Sequence, residues 1–315
     1  MPEDLEVSTL DWQQLPDMPE GKWEPSSIVI DDKLYVVGGY IGVIKKDLRG
    51  SKSVQVFDPS DGSWSQIQDL PSAISHFDVV RDDRKLWFAG GFKDAYPEYL
   101  IAEVWSYDLD LDRFVAGPLL PEKRGGGGLA LLGRELHYVG GLKPDRDTDS
   151  EDHWVLNLDD WAKGSAEWTK AAPMPVPRNQ FSCVVYKDEL YAIGGQFHHD
   201  SEQLDQTRVD IYDPKSDTWR EGPPLLTAHS HSEGATFVHN DHIYMVGGHI
   251  TPEGGKKALD DSIVRLAPGG SWELVGRLPS PISSPASRII GDKLYVAGGF
   301  DGPIRTEVWV TDVPK

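Results

Sequence analysis

Short apolar runs broken by polar turns recur along the whole chain, and six of them end the same way. Leu34-Tyr35-Val36-Val37, Leu86-Trp87-Phe88-Ala89, Leu136-His137-Tyr138-Val139, Leu190-Tyr191-Ala192-Ile193, Ile243-Tyr244-Met245-Val246 and Leu294-Tyr295-Val296-Ala297 each lead into Gly-Gly. The first glycines of these pairs lie 52, 50, 54, 53 and 51 residues apart. A fixed period of this length marks a repeat architecture, in which each unit buries its apolar surface against the next. Each unit has one internal order. An apolar run such as Ser27–Ile30 meets an acidic turn, Asp31-Asp32, and then the Gly-Gly run. A variable loop follows, then an aromatic-Asp-Pro run such as Val54–Pro59. A second aromatic falls seven residues after the first, pairing Phe57 with Trp64, Tyr107 with Phe114 and Tyr212 with Trp219. The pattern predicts four antiparallel strands of about five residues per unit. Their runs are apolar on both faces, as sheets covered on both sides require.

The double glycine, the Tyr-Asp-Pro and the spaced Trp resemble the Kelch repeat, and the resemblance covers the chain from Trp12 to Val313. It implies an all-β fold, a six-bladed β-propeller. The units run over 22–67, 73–116, 123–170, 178–221, 230–275 and 284–313, as a single domain across 1–315. Two units are degenerate. The third has an insertion around Asn157 to Glu167, and the fifth carries Leu266-Ala267-Pro268 in place of Tyr-Asp-Pro. The chain starts with an orphan fourth strand, residues 10–15, and ends on a third strand, Glu307 to Val310. The N-terminal strand is therefore expected to complete the last blade and close the ring, which removes open sheet edges.

Charge narrows the partners. The net charge is −20 and the pI about 4.8, so phosphate-rich nucleic acid and anionic membrane surfaces are set aside. A lone cysteine, Cys183, permits no internal disulfide. It falls in an innermost strand and reads as a small core residue. No basic-then-apolar leader opens the chain and no stretch approaches a membrane span. A soluble, cytoplasmic monomer is expected, with a removed signal peptide as the alternative.

In a four-stranded antiparallel blade, alternate connections emerge on one side. The loops after each Gly-Gly (40–52, 92–102, 142–152, 196–206, 249–261) therefore share a face with the segments leading into each innermost strand. Turns such as Asp82-Asp83, Lys187-Asp188 and Asn240-Asp241 form the opposite face. Variable loops on a rigid frame are where binding concentrates. Six of the ten histidines fall on the loop face: His76, His198, His199, His229, His231 and His249. His76, His199, His231 and His249 are candidate ligands for Fe, Cu, Zn or Ni, with Asp200, Asp205 or Glu233 adding oxygen. Strand alternation places Glu233 on the same side as His231. The other reading is a hydrated, polar channel mouth. Arg124 and Arg178 hold equivalent places and either clamp a ligand carboxylate or bond to loop carbonyls. Trp23, Glu24, Tyr40, Phe92, Tyr96, Asn179, Gln180, Phe197 and Phe300 are candidate contacts around them, with Gly125–Gly128 opening space. Asp145-x3-Asp149-x3-His153 resembles the iron triad of Kelch-type specifier proteins but departs at its first residue, and a solvated acidic loop is the alternative.

Three functions stay open. The first is a scaffold that binds a protein segment or small polar ligand on the loop face. The second is a transition-metal enzyme at the histidine-rich mouth. The third, after the Kelch-type epimerases, is a metal-free epimerase or lyase on a sugar-like acid, using Arg178, Glu233, His231 and Glu24. Galactose-oxidase chemistry needs a cysteine cross-linked to tyrosine beside copper, and Cys183 is not placed for it. No P-loop, dinucleotide fingerprint or nucleophile elbow is present.

Overall fold

The computed structural model describes residues 9–44, 46–94, 99–201 and 203–314. Each repeat builds one four-stranded antiparallel sheet, in chain order outward from the centre. In the second repeat the strands are Val79–Asp82, Lys85–Ala89, Val104–Asp108 and Arg113–Ala116. The paired aromatics face each other across the outer two strands: Phe57 opposite Trp64, Tyr107 opposite Phe114, Tyr212 opposite Trp219. Among the described residues five such sheets occur, the fifth repeat's sheet gains Ala228–Ser230 as a fifth strand, and each innermost strand touches that of the next repeat. The succession runs from Ser26–Ile30 against Val79–Asp82 round to Ala286–Ile290 against Ser26–Ile30. In the last sheet the outermost strand is Gln13–Leu15, with Gln13 opposite Val310 and Leu15 opposite Val308.

The core follows from this stacking. Apolar clusters fill the spaces between neighbouring sheets. One joins Ile30 and Val37 to Leu86 and Phe88, and another joins Leu34 and Phe57 to Tyr295 and Val308 across the seam between the last and first repeats. The two-sided apolar runs of the sequence have this cause.

The double glycines dock one repeat onto the next. The second glycine of each pair donates its N–H to a carbonyl in the following repeat: Gly39 to Ile74, Gly91 to Arg124, Gly141 to Arg178, Gly195 to His229 and Gly248 to Ile282. The sixth, Gly299, reaches Lys22 at 2.7 Å and joins the end of the chain to its beginning. The backbones approach so closely that a Cβ on Gly90 would stand 2.7 Å from the Arg124 carbonyl, with φ at +66°. Only glycine fits both demands.

Two units depart from the expected outline. Residues 249–261, expected as a loop, are mostly strand. His242–Thr251 runs through Gly247-Gly248 with a register shift and pairs with Ala258–Leu266 as a long hairpin. The insertion of the third repeat folds into a short helix, Leu158–Ala162, capped by the Asn157 side chain, and its Trp161 sits edge-on to Trp87. Cys183 is half-buried and packs against the apolar cluster of the third and fourth repeats, and it also lines an axial cavity of about 270 Å³ with Asp78, Glu233 and Arg288. No helix among the described residues is long and apolar enough to cross a membrane.

Candidate functional site

Where each repeat turns into its innermost strand, one residue takes a left-handed backbone. The six are Glu24, His76, Gly126, Gln180, His231 and Ser284, with φ of 54°, 55°, 65°, 51°, 60° and 46°. Five are not glycine, and each pays about 1 kcal/mol or more for that conformation. Backbone hydrogen bonds link them around the axis: Gly126 N–H to His76 O, Gln180 to Gly126, His231 to Gln180, and Ser284 to His231. The residue just before each pairs with the residue just after that repeat's double glycine. Trp23 faces Tyr40, Ser75 faces Phe92, Asn179 faces Gln196, Ser230 faces His249 and Ser283 faces Phe300. The loops after Gly-Gly and the lead-in segments thus form one collar around the channel mouth.

The mouth's chemistry comes from the first, second, fourth and fifth repeats. Glu24 is 8% exposed, with Oε2 at 2.8 Å from His76 Nε2 and Oε1 at 3.8 Å from His231 Nε2. The longer distance follows from the tautomer of His231. Asp205 accepts from Ser230 Oγ at 2.8 Å, so Ser230 has no proton left for His231 Nδ1, 2.7 Å away. His231 Nδ1 must then donate, leaving neutral Nε2 as a lone pair that faces the carboxylate. Burial pushes His231 well below its ordinary value and His249 down to about 4, so both stay neutral. His249 lies against His231 with ring centres 4.3 Å apart, and His199 sits edge-on to His76. Phe92 stacks under His76 at 4.1 Å, and Trp23 stacks on Phe300 at 4.8 Å. Phe92 and Tyr40 are buried under this layer, whereas Trp23, Phe197 and Phe300 are half-buried at its rim.

Several expected contacts point elsewhere. Glu233 is not on a strand with His231. Ser232 opens a turn in which Ala235 N–H bonds to the Ser232 carbonyl, and residues 233–235 form a single 3-10 turn before the strand Thr236–His239 begins. Glu233 nevertheless lines the mouth pocket, and burial raises its carboxyl well above the ordinary range. Arg178 is fully buried in its own blade, bonded to the carbonyls of Gly194, Ala192 and Val176 and to Asp210 at 2.7 Å. Arg124 is likewise held by Asp152, Glu122 and Ser150, with its guanidinium over Trp154. Neither arginine is free to clamp a ligand. His229 belongs to the same series, with Nε2 on the Gly247 carbonyl at 2.7 Å, as does Lys22, bonded to Glu20, Ser51 and Ser53. Asn179 is tied to Asp149, Gln196 and His198. The sequence shows the shared place of Lys22, Arg124, Arg178 and His229 two residues before each ring position, once the six units are aligned.

The acidic loop of the third repeat does not converge on a metal. Asp145 caps Thr148, Asp149 accepts from His198 N–H, and His153 is buried in a strand against His137. Among the described residues no three His, Cys, Asp or Glu side chains are grouped so as to hold a metal ion. Tyr96 lies outside the described residues.

Comparison with known proteins agrees with this architecture. The family model for the KLHDC2/KLHL20/DRC7 Kelch-repeats domain matches residues 115–299, and the Kelch motif matches residues 24–71. The Kelch repeat-containing protein At3g27220 of Arabidopsis thaliana is 26% identical over 94% of this chain and 72% of its own length. Kelch-like protein terF of Aspergillus terreus is 25% identical over 59% of this chain, and beta-scruin of Limulus polyphemus 26% over 70%. Those matches span only 42% and 24% of the two relatives' own lengths. The solved structure of YjhT overlays with a TM-score of 0.68 across 86% of this chain and 89% of that one, at 16% identity, which speaks to fold alone. With a family model over more than half its length and a docking glycine pair in all six repeats, the chain belongs to the Kelch-repeat family of β-propellers.

Proposed function

We propose that this chain acts as a single propeller domain whose loop face is a recognition surface for a protein segment or small polar ligand. The observation that carries the reading is the ring at the mouth. Its backbone conformation repeats six times while its side chains change from Glu to His, Gly, Gln, His and Ser. A purely structural ring gains nothing from that variety, and left-handed non-glycine residues are held where surrounding structure has a use for them. Loop tips on the same face add exposed apolar groups, Val43, Ile44, Tyr99 and Leu204, which suit contact with a protein chain.

Selection of displayed peptides against the purified protein tests this. Selected peptides should lose binding to Tyr99→Ala and Glu24→Gln variants and keep it with Lys187→Ala on the opposite face. Peptides that respond only to Lys187→Ala, or to none of these, would refute it.

A further inference from the structure

We infer that the channel mouth is a pocket for a primary ammonium group, built from Glu24, Gln180 and Glu233 and lined by Gly126. The inference rests on the loop face being a recognition surface and names the chemistry it recognises.

Buried polar atoms without hydrogen-bond partners are rare in folded proteins, and each asks for a cause. Among the described residues eight side-chain atoms are in that state, and three line this one pocket: Glu24 Oε2, Gln180 Nε2 and Glu233 Oε1. Glu24 and Gln180 are 8% and 2% exposed, so neither finds its partner in bulk water. His76 Nε2 approaches Glu24 Oε2 at 2.8 Å, but not along its N–H direction. A fourth orphan, His249 Nδ1, lies in the ring stacked on His231.

Two of the three atoms are acceptors, and Gln180 Nε2 is a donor as placed. Both acceptors belong to carboxyls, while His231 Nε2 faces the other Glu24 oxygen, Oε1, at 3.8 Å. The Gln180 amide presents oxygen or nitrogen by a half-turn about its last bond. Two unpartnered carboxyl oxygens, with an amide that can turn its oxygen toward them, suit a donor with several N–H bonds.

Size selects within that class. The free space is about 10 Å³, room for one water-sized group. An –NH₃⁺ tip fits this, whereas a guanidinium or quaternary ammonium does not. At Gly126 an added Cβ would touch Gln180 N at 3.6 Å and Asn179 Cβ at 3.7 Å, so a side chain there would pack against the Gln180 wall of the pocket. A protein field of net charge −20 draws cations toward the mouth. The group recognised is thus the tip of a lysine, a chain N-terminus or a small alkylamine.

The test titrates methylammonium chloride into ¹⁵N-labelled protein and follows the backbone amides of Gly126, Gln180 and His231. Saturable shifts are expected with methylammonium, and none with tetramethylammonium or potassium at equal ionic strength. Glu24→Gln should weaken binding at least tenfold. Gly126→Asn should abolish it, and this variant should fold because the equivalent positions of five other repeats hold left-handed non-glycine residues. Its unfolding midpoint confirms that. No saturable shift, equal shifts with tetramethylammonium or potassium, or unchanged binding in both variants would overturn the pocket. Methylammonium binding without any peptide selected would leave the pocket standing and remove the protein-recognition reading. Peptide binding without an ammonium response would do the reverse.

Discussion

Acid should unfold this protein partly through one buried histidine pair. His137 and His153, each 1% exposed, lie between the third and fourth repeats, with Nδ1 of His137 2.9 Å from Nε2 of His153. His153 Nδ1 faces the Ala172 carbonyl at 3.0 Å and must donate to it. His153 Nε2 is then an acceptor, His137 Nδ1 donates, and His137 Nε2 is left as a buried lone pair. Both rings are therefore neutral, and burial depresses both below the ordinary 6.5. The charged groups around them are Glu135, whose Oε2 is 3.9 Å from His137 Nε2, and Asp217, which already accepts from Tyr212 and the Ala172 N–H. A depressed histidine binds fewer protons folded than unfolded. Its stability contribution is thus full above pH 6.5 and falls as the pH drops toward the folded value. The loss is about 1.4 kcal/mol per pH unit for each ring, or about 2 kcal/mol each and about 4 kcal/mol together by about pH 5. Half-exposed Glu135 makes that an upper figure. Other groups titrate in the same range: burial raises Asp78 to about 7, which acts in the opposite sense. The measurement therefore compares wild type with a His137→Leu/His153→Leu double variant in urea unfolding at pH 7 and about pH 5. The Ala172 carbonyl keeps Trp219 Nε1 as a donor at 2.8 Å, so the variant leaves no new orphan. Wild type should lose about 3–4 kcal/mol more than the variant between the two pH values. Equal losses would refute the neutral-pair argument.

Three further outcomes follow from features already described. Asp210→Asn leaves the Arg178 guanidinium without its countercharge inside the fourth blade and should cost about 3–5 kcal/mol in denaturant unfolding; a loss under about 1 kcal/mol would show that the three carbonyls suffice. Gly90→Ala drives a Cβ into the Arg124 carbonyl and should cost about 3 kcal/mol or more. Gly133→Ala, equally left-handed but with nothing within 4 Å, should cost about 1 kcal/mol, and equal costs would mean that conformation rather than contact decides. Trp12→Ala removes the bond from Nε1 to the Arg277 carbonyl at 2.9 Å and its apolar cover. It should free the strand Gln13–Leu15, read as faster amide exchange at Val310, which pairs with Gln13, at a cost of about 2 kcal/mol.

The repeat, its strands and the clasp of the N-terminal strand were legible because period, alternation and turn chemistry all act locally. The site was legible only in outline. Nothing in the residue types Glu, His, Gly, Gln, His and Ser marks a shared left-handed position, since the conformation is imposed by bonds from neighbouring repeats. Arg178 looked like a ligand clamp because its partner Asp210 stands thirty-two positions away in sequence. Glu233 was misplaced because strand alternation was carried through residues that form a turn. The hairpin of the fifth repeat was read as a loop because its polar residues, such as Asp260 and Ser262, bond to each other inside the structure.

The bond from Gly299 to Lys22 is of the same kind as the five that precede it, although no peptide link runs beneath it in that direction. The seam where the polypeptide happens to be cut is thus no different in kind from the seams it spans. Gln13 and Val310 are direct neighbours, so a short tether would join the strands that hold them. A circular permutant opened instead at the exposed Gly62 turn, where nothing crowds the backbone, should form the same ring with its covalent gap in another blade.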